Sequence, residues 1–114
     1  MTLLQMRYIL EVDRCGSMNR AAQDLFVSQS ALSTAILEVE KELGITIFRR
    51  SNRGVVLTEE GRELVAQIAP IVERSGRIAR YYSERRAENR VTLSAASQRY
   101  PFCAKAFVEY LHLL

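Results

Sequence analysis

The amino-acid sequence predicts a mainly α fold in which three short helices are closed by a β-hairpin and followed by one long helix. Three observations carry that expectation. Apolar residues recur at helical spacing in three separate runs within the first 43 residues. The period then changes to two on either side of the turn-rich Ser51-Asn52-Arg53-Gly54. Beyond Thr58, apolar positions alternate in steps of four and three over more than two heptads.

The first helix is expected from Thr2, a suitable N-cap, to about Arg14, with Leu3, Met6, Ile9 and Val12 on one face and Leu10 beside them. Gly16 stops it. Ser17 caps a short second helix whose Ala21, Ala22 and Leu25 face inward, the two alanines allowing another helix to approach closely. Phe26-Val27-Ser28 is too short to be more than a turn. From Ser28 a third helix carries Leu32, Ile36, Val39 and Leu43 as one stripe and ends at Gly44.

Ile45 and Ile47, then Val55 and Leu57, flank the hairpin turn. Thr58 opens the long helix, with Glu59 and Glu60 in the first turn where carboxylates favour the positive end of the helix dipole. Leu64, Ile68, Ile71, Ser75, Ile78 and Tyr82 form a heptad seam, with Val65, Val72 and Ala79 as a second stripe. Pro70 should kink or split the helix near Ala69, because an interior proline costs about 3 kcal/mol. Ser83 to Arg90 reads as a frayed end and linker. Val91 to Ala96 reads as a strand, and Pro101 opens an apolar helix from Phe102 to Leu114. The expected organisation is therefore residues 1–57, 58–90 and 91–114.

Composition removes several function classes. A chain of 114 residues, 48% apolar and 25% charged, is ordinary globular usage and holds one domain with an appendage. Cys15 and Cys103 stand in no CxxC or Cys/His spacing, so no disulfide framework and no metal site is expected, and no cofactor either. His112, the one histidine, lies in an apolar run and is the single candidate for a catalytic set, so enzymatic chemistry is not expected. Uncharged apolar runs fall far short of the roughly 18 residues a spanning helix needs, and no signal peptide opens the chain, so a cytoplasmic protein is expected.

A helix of about 30 residues at about 1.5 Å each reaches about 45 Å, whereas a compact domain of 57 residues spans about 27 Å. An overhanging heptad stripe needs a partner, and the same helix of a second copy supplies one, so a homodimer is expected.

Helix, short helix, tight turn, helix and hairpin in that order make a winged helix-turn-helix, in which the second helix of the pair enters the major groove of double-stranded DNA. The face of that helix opposite Leu32 and Ile36 presents Ser28, Gln29, Ser30, Ser33 and Thr34. These are short donors and acceptors, with one amide able to bond an adenine edge bidentately. The bland reading, plain capping and first-turn residues, weighs equally on that feature alone. The hairpin tips the balance: Arg49, Arg50 and Arg53 stand in a stretch from Glu42 to Glu59 that contains no acid between them. Net charge locates nothing, since residues 1–57 carry 7 basic and 6 acidic groups, residues 58–90 carry 7 and 6, and the remainder 2 and 1, giving the total of +3. Arginine in a wing can lie along phosphates or enter a narrow minor groove.

The runs GSMNRAAQDLFVSQSALS and LEVEKELGITIFRRSNRGVVLTEEG, between about Leu4 and Gly61, resemble the N-terminal part of the LysR-type transcriptional regulators. The resemblance implies a bacterial DNA-binding regulator that dimerises through the helix after the wing and carries a ligand-sensing domain behind it. Carried over by position, it implies base reading at Gln29, Ser30 and Ser33, phosphate contacts near Asn19, Arg20 and Ser28, and wing contacts at Arg50 and Arg53. The family often has basic or amide residues after the serine that Ser33 matches, whereas this chain has Thr34, Ala35, Leu37 and Glu38. Fewer phosphate contacts imply weaker binding and a shallower salt dependence.

The C-terminal piece looks like the first strand and helix of the family's effector domain, with Ser97 and Gln98 at the strand end as weak candidates for effector contact. A small-molecule effector is expected only if the rest of that domain exists, and the length is expected to reflect a fragment or a truncated reading frame rather than a natural short form. The competing function is a helical protein-interaction module that pairs through the long helix, mainly with full-length relatives, and uses the helix-turn-helix as support; an acidic or apolar wing would have favoured it.

Overall fold

The computed structural model describes residues 1–92, with side-chain surroundings described through Glu88. Helices α1 (Leu3–Cys15), α2 (Met18–Leu25) and α3 (Gln29–Leu43) precede strands β1 (Phe48–Ser51) and β2 (Gly54–Leu57), and α4 (Glu59–Thr92) follows. The chain divides into one unit spanning Met1–Ser75 and a second beginning at Gly76.

In the first unit the expected caps are in place. The Thr2 hydroxyl accepts the Gln5 N–H at 3.1 Å while the Gln5 side chain accepts the Thr2 N–H at 2.8 Å, a reciprocal box that satisfies two otherwise orphaned donors. Ser17 and Ser28 cap α2 and α3 in the simpler way, and Gly16 and Gly44 end α1 and α3 in the left-handed conformation. The core is built from Ile9 and Val12 of α1, Ala21 and Ala22 of α2, Leu32, Ile36 and Val39 of α3, then Ile47 and Ile68. Leu43, expected as the last member of the α3 stripe, is exposed, because the helix ends there and its last turn runs past the core.

The two strands pair antiparallel with Phe48 opposite Leu57 and Ser51 opposite Gly54, joined by Asn52 and Arg53. Ile47 sits just outside the ladder and fully buried, so it serves the core rather than the hairpin. The hairpin is fastened both near its turn and at its base. The Val55 N–H donates to the Gly16 carbonyl at 3.0 Å, and Gly54, at φ +134°, lies so close that a Cβ there would collide with that same carbonyl oxygen. On the other side the Thr58 N–H donates to the Ile47 carbonyl at 2.9 Å, and a Cβ on Gly61 would strike it. The Thr58 hydroxyl accepts the Gly61 N–H at 2.9 Å, capping α4, and donates to the Thr46 carbonyl.

Two expectations for the long helix are corrected. Pro70 does not split it: α4 is one element of 34 residues with Pro70 inside. The carbonyl that the proline leaves unpaired is that of Ala66, an exposed residue with solvent at hand. The helix also continues through the expected linker, Ser83 to Arg90, and through Val91 and Thr92, where a strand was expected to begin. Glutamate and arginine dominate that stretch and both propagate helix well. The remaining expectations for 93–114, including the strand, the helix opened by Pro101, Ser97, Gln98, Cys103 and His112, lie outside the described residues.

Within the second unit the Tyr81 and Tyr82 rings meet edge to face, with centroids 5.1 Å apart and planes at 85°.

Candidate nucleic-acid interface

The geometry of the helix pair follows from small residues. Ala21 and Ala22 are buried with Leu32 in the core, so α2 and α3 approach closely across a turn of three residues. The Phe26 N–H donates to the Gln23 carbonyl at 3.2 Å and the Val27 N–H to that of Ala22 at 3.0 Å. This closure holds Phe26 at φ 58°, the left-handed region that bulky side chains avoid, with the residue 95% exposed.

Ser28 ends the turn. Its hydroxyl accepts the Ala31 N–H at 3.1 Å and lies 3.3 Å from the Ser30 hydroxyl, so Ser28 is first of all the cap of α3. Gln29, Ser30 and Thr34 are exposed, and Ser33 is half-buried on the flank of the stripe. At 100° per residue, Ser30, Thr34, Leu37 and Lys41 follow one outward line opposite Leu32, Ile36 and Val39. Asn19 and Arg20 are exposed in the first turn of α2, where the Ser17 hydroxyl holds the Arg20 N–H at 3.2 Å.

The structure does not bring the three wing arginines together. Arg50 pairs with Val55 and Arg49 with Val56, and adjacent strand positions point to opposite faces. Arg50 shares the face of Phe48, Val55 and Leu57, which lean on the core, and continues it outward. Arg49 lies on the other face and, with Thr58, Glu59 and Arg62, lines a shallow cavity beside the first turn of α4. Arg53 occupies the turn itself, its N–H donating to the Ser51 hydroxyl at 3.4 Å. All three are exposed and have no ion pair among the described residues.

Two groups of residues that position this surface were not singled out from the sequence as doing so. All three carboxylates of α3 are engaged. Glu38 accepts the Gln5 amide at 3.1 Å, Glu42 takes the N-terminal ammonium at 2.7 Å, and Glu40 accepts the Ile47 backbone N–H at 2.6 Å. Only the i, i+4 spacing of Glu38 and Glu42 hints at a shared face, and nothing local points to the role of Glu40, since all three partners are distant in sequence. The second group ties α1 to α2: the Arg14 guanidinium bonds Glu11 and, at 3.0 Å, Asp24, with the Cys15 sulfur beside them. The Arg14 hydrogen bond holds the Glu11 carboxyl below its ordinary range. Partial burial, then hydrogen bonds to Glu11 and Asp24, push the Cys15 thiol up. Glu11, Cys15 and Asp24 are near enough to share a cation, but the arginine already supplies the positive charge there.

On α4, Leu64 and Val65 pack against the core and Ile68 is buried within it, so the start of the expected seam is spent inside the first unit. Ser75 is half-buried and Ile71 is 49% exposed. In the second unit Ile78 is 51% exposed and Tyr82 half-buried. No helix among the described residues is long and apolar enough to cross a membrane.

Residues 3–62 match the family described as bacterial regulatory helix-turn-helix protein, lysR family. The chain is 40% identical over 78 residues to the glycine cleavage system transcriptional activator of Escherichia coli (strain K12), a match that covers 68% of this chain and 26% of that protein. It thus spans about a quarter of the length of that curated relative. Among solved structures it is similar to the DNA-binding domain of CbnR in complex with DNA, with a TM-score of 0.65 and 31% identity over 74% of this chain and 97% of that one. It is likewise similar to the BenM DNA-binding domain bound to catB site 1 DNA, with a TM-score of 0.68 and 29% identity over 79% and 96% of the two chains.

Proposed function

The chain belongs to the lysR family of bacterial regulatory helix-turn-helix proteins, and from that premise we propose that it regulates transcription by binding operator DNA as a dimer. The observation that carries the reading is the exposed polar set at the start of α3, Gln29, Ser30 and Thr34 with half-buried Ser33 beside them, together with wing arginines that are exposed and have no ion pair among the described residues. Residues 1–57 are the DNA-binding domain. Gln29, Ser30, Ser33 and Thr34 read base edges in the major groove. Asn19, Arg20 and Ser28 meet phosphates at the mouth of the groove, and Arg50 and Arg53 reach the adjacent backbone or minor groove. Arg49 contributes to the field of the wing from its outer face.

The linker helix, 58–90, pairs with its counterpart in a second copy. Ile71 and Ile78 are the exposed apolar residues that such pairing would cover, with Ser75 and Tyr82 on the same seam. The reading gives the chain a binding role and no chemistry, and places its work in the cytoplasm with the DNA. An effector domain following residue 90, with Ser97 and Gln98 near its ligand, belongs to the same proposal. An acidic or apolar wing would have favoured the interaction-module alternative, and the three exposed arginines count against it.

Titration of the chain with duplex DNA at two salt concentrations tests the function. Gln29→Ala should cost about 1–3 kcal/mol and relax base preference, while Arg53→Ala should weaken all sequences alike. Binding that ignores salt would contradict it.

A further inference from the structure

Given the DNA-binding reading above, we propose that the recognition helix is a thymine-methyl reader: α3 selects half-sites of A·T pairs through Gln29, Thr34 and Leu37. The outward line of α3 runs Ser30, Thr34, Leu37, Lys41, and its third member is a leucine 53% exposed to water. A leucine at the centre of a surface that must desolvate against DNA is matched by one feature of the major groove, the C5-methyl of thymine. Thr34, one turn earlier, presents a second methyl beside its hydroxyl. Three residues of helix rise about 4.5 Å, near the about 3.4 Å between stacked bases, so Thr34 and Leu37 fit neighbouring base pairs.

The charges around the line disfavour the other bases. Guanine is read chiefly by arginine or lysine donating to O6 and N7, and the nearest cation on the line, Lys41, sits in the last turn, beyond Leu37. Cytosine offers an N4 donor that wants a carboxylate. Glu38 and Glu42 are turned toward α1 by Gln5 and the N-terminal ammonium, and Glu40 is held by Ile47. What remains facing outward as far as Leu37 carries no charge: a hydroxyl, a methyl and a leucine along the line, with Gln29 exposed at the start of the helix, where its amide can pair with an adenine edge.

The test uses the full 114-residue chain. Duplexes retained from a randomised library are sequenced, and thymidine beneath α3 is then replaced by deoxyuridine, which removes the methyl and leaves every hydrogen-bonding group in place. Retained half-sites should be rich in A·T pairs, and each lost methyl should weaken binding about fourfold, the worth of one buried methylene. Leu37→Ala, a change at an exposed position, should abolish the deoxyuridine response at one base pair while leaving the salt dependence unchanged; Thr34→Ser should do so at the neighbouring pair. Retained half-sites with G·C at those positions would overturn the inference and leave the regulator reading standing. An equal deoxyuridine penalty in wild type and both variants would also overturn it. Failure to retain any duplex at low salt would overturn both.

Discussion

The carboxylate of Glu40 accepts the backbone N–H of Ile47 at 2.6 Å, joining α3 to the residue that leads into the wing. Glu40 also receives the Gly44 and Ile45 N–H groups on its own carbonyl, so one residue turns the chain out of α3. Glu40→Ala strands a buried amide and should cost about 1–3 kcal/mol in urea unfolding, whereas Glu40→Gln keeps an acceptor and should recover most of it.

Phe26 occupies a left-handed position with almost no burial to compensate. Asparagine tolerates that conformation, so Phe26→Asn should raise stability by about 1 kcal/mol, read as a shift in the urea midpoint at unchanged slope. A loss of stability would show that the ring makes contacts worth more than the strain.

The split of the wing arginines across two hairpin faces should give them unequal weight in DNA binding. Arg50→Ala and Arg53→Ala should each lower the slope of log K against log salt by about one. Arg49→Ala should change it by much less, since its side chain is directed toward the first turn of α4.

The Glu11 carboxyl is held below its ordinary value by the Arg14 hydrogen bond. A depressed carboxylate contributes stability above its unfolded value, near 4.5, and loses it as pH falls through the folded value. With Arg14 65% exposed, the contribution is screened and should stay under about 1 kcal/mol. Glu11→Gln should therefore be slightly less stable than wild type at neutral pH, and the two should converge below pH 4.5, as measured by thermal unfolding across that range.

If α4 pairs with a second copy, a charge at Ile78 must be buried in the interface. Ile78→Glu should give a monomer by sedimentation at micromolar concentration where wild type is a dimer, with the first 75 residues still folded by circular dichroism.

Much of this molecule was legible because its signals are local. Thr2, Ser17, Ser28 and Thr58 sit at helix starts, and Gly16 and Gly44 at stops, as their side chains or lack of one demand. The order of elements followed from the change of period near Gly44. What escaped was long-range or cumulative. Leu64 and Ile68 read as interface residues because a heptad pattern does not say whether its first turns lie on the protein's own core. Pro70 read as a kink or a split, and the split did not occur because a local cost says nothing about a helix long enough to absorb it. Within the candidate site, the exposed positions from Gln29 to Thr34 could be read from helical phase. The engagement of Glu38, Glu40 and Glu42 could not, since each partner comes from a distant part of the chain. Nor could the separation of Arg49 from Arg50, until strand boundaries assigned them to opposite faces.

The meeting of Gly54 with the Gly16 carbonyl, where no side chain fits between two backbones, makes the protein a fixed gauge. With the wing held to the α1–α2 turn and to the start of α4, the span from the exposed start of α3 to Arg53 is set by backbone contacts. If α3 enters the major groove, a duplex whose grooves do not match that span would have to deform to be held, so stiffness in DNA the protein never touches would become part of what it selects.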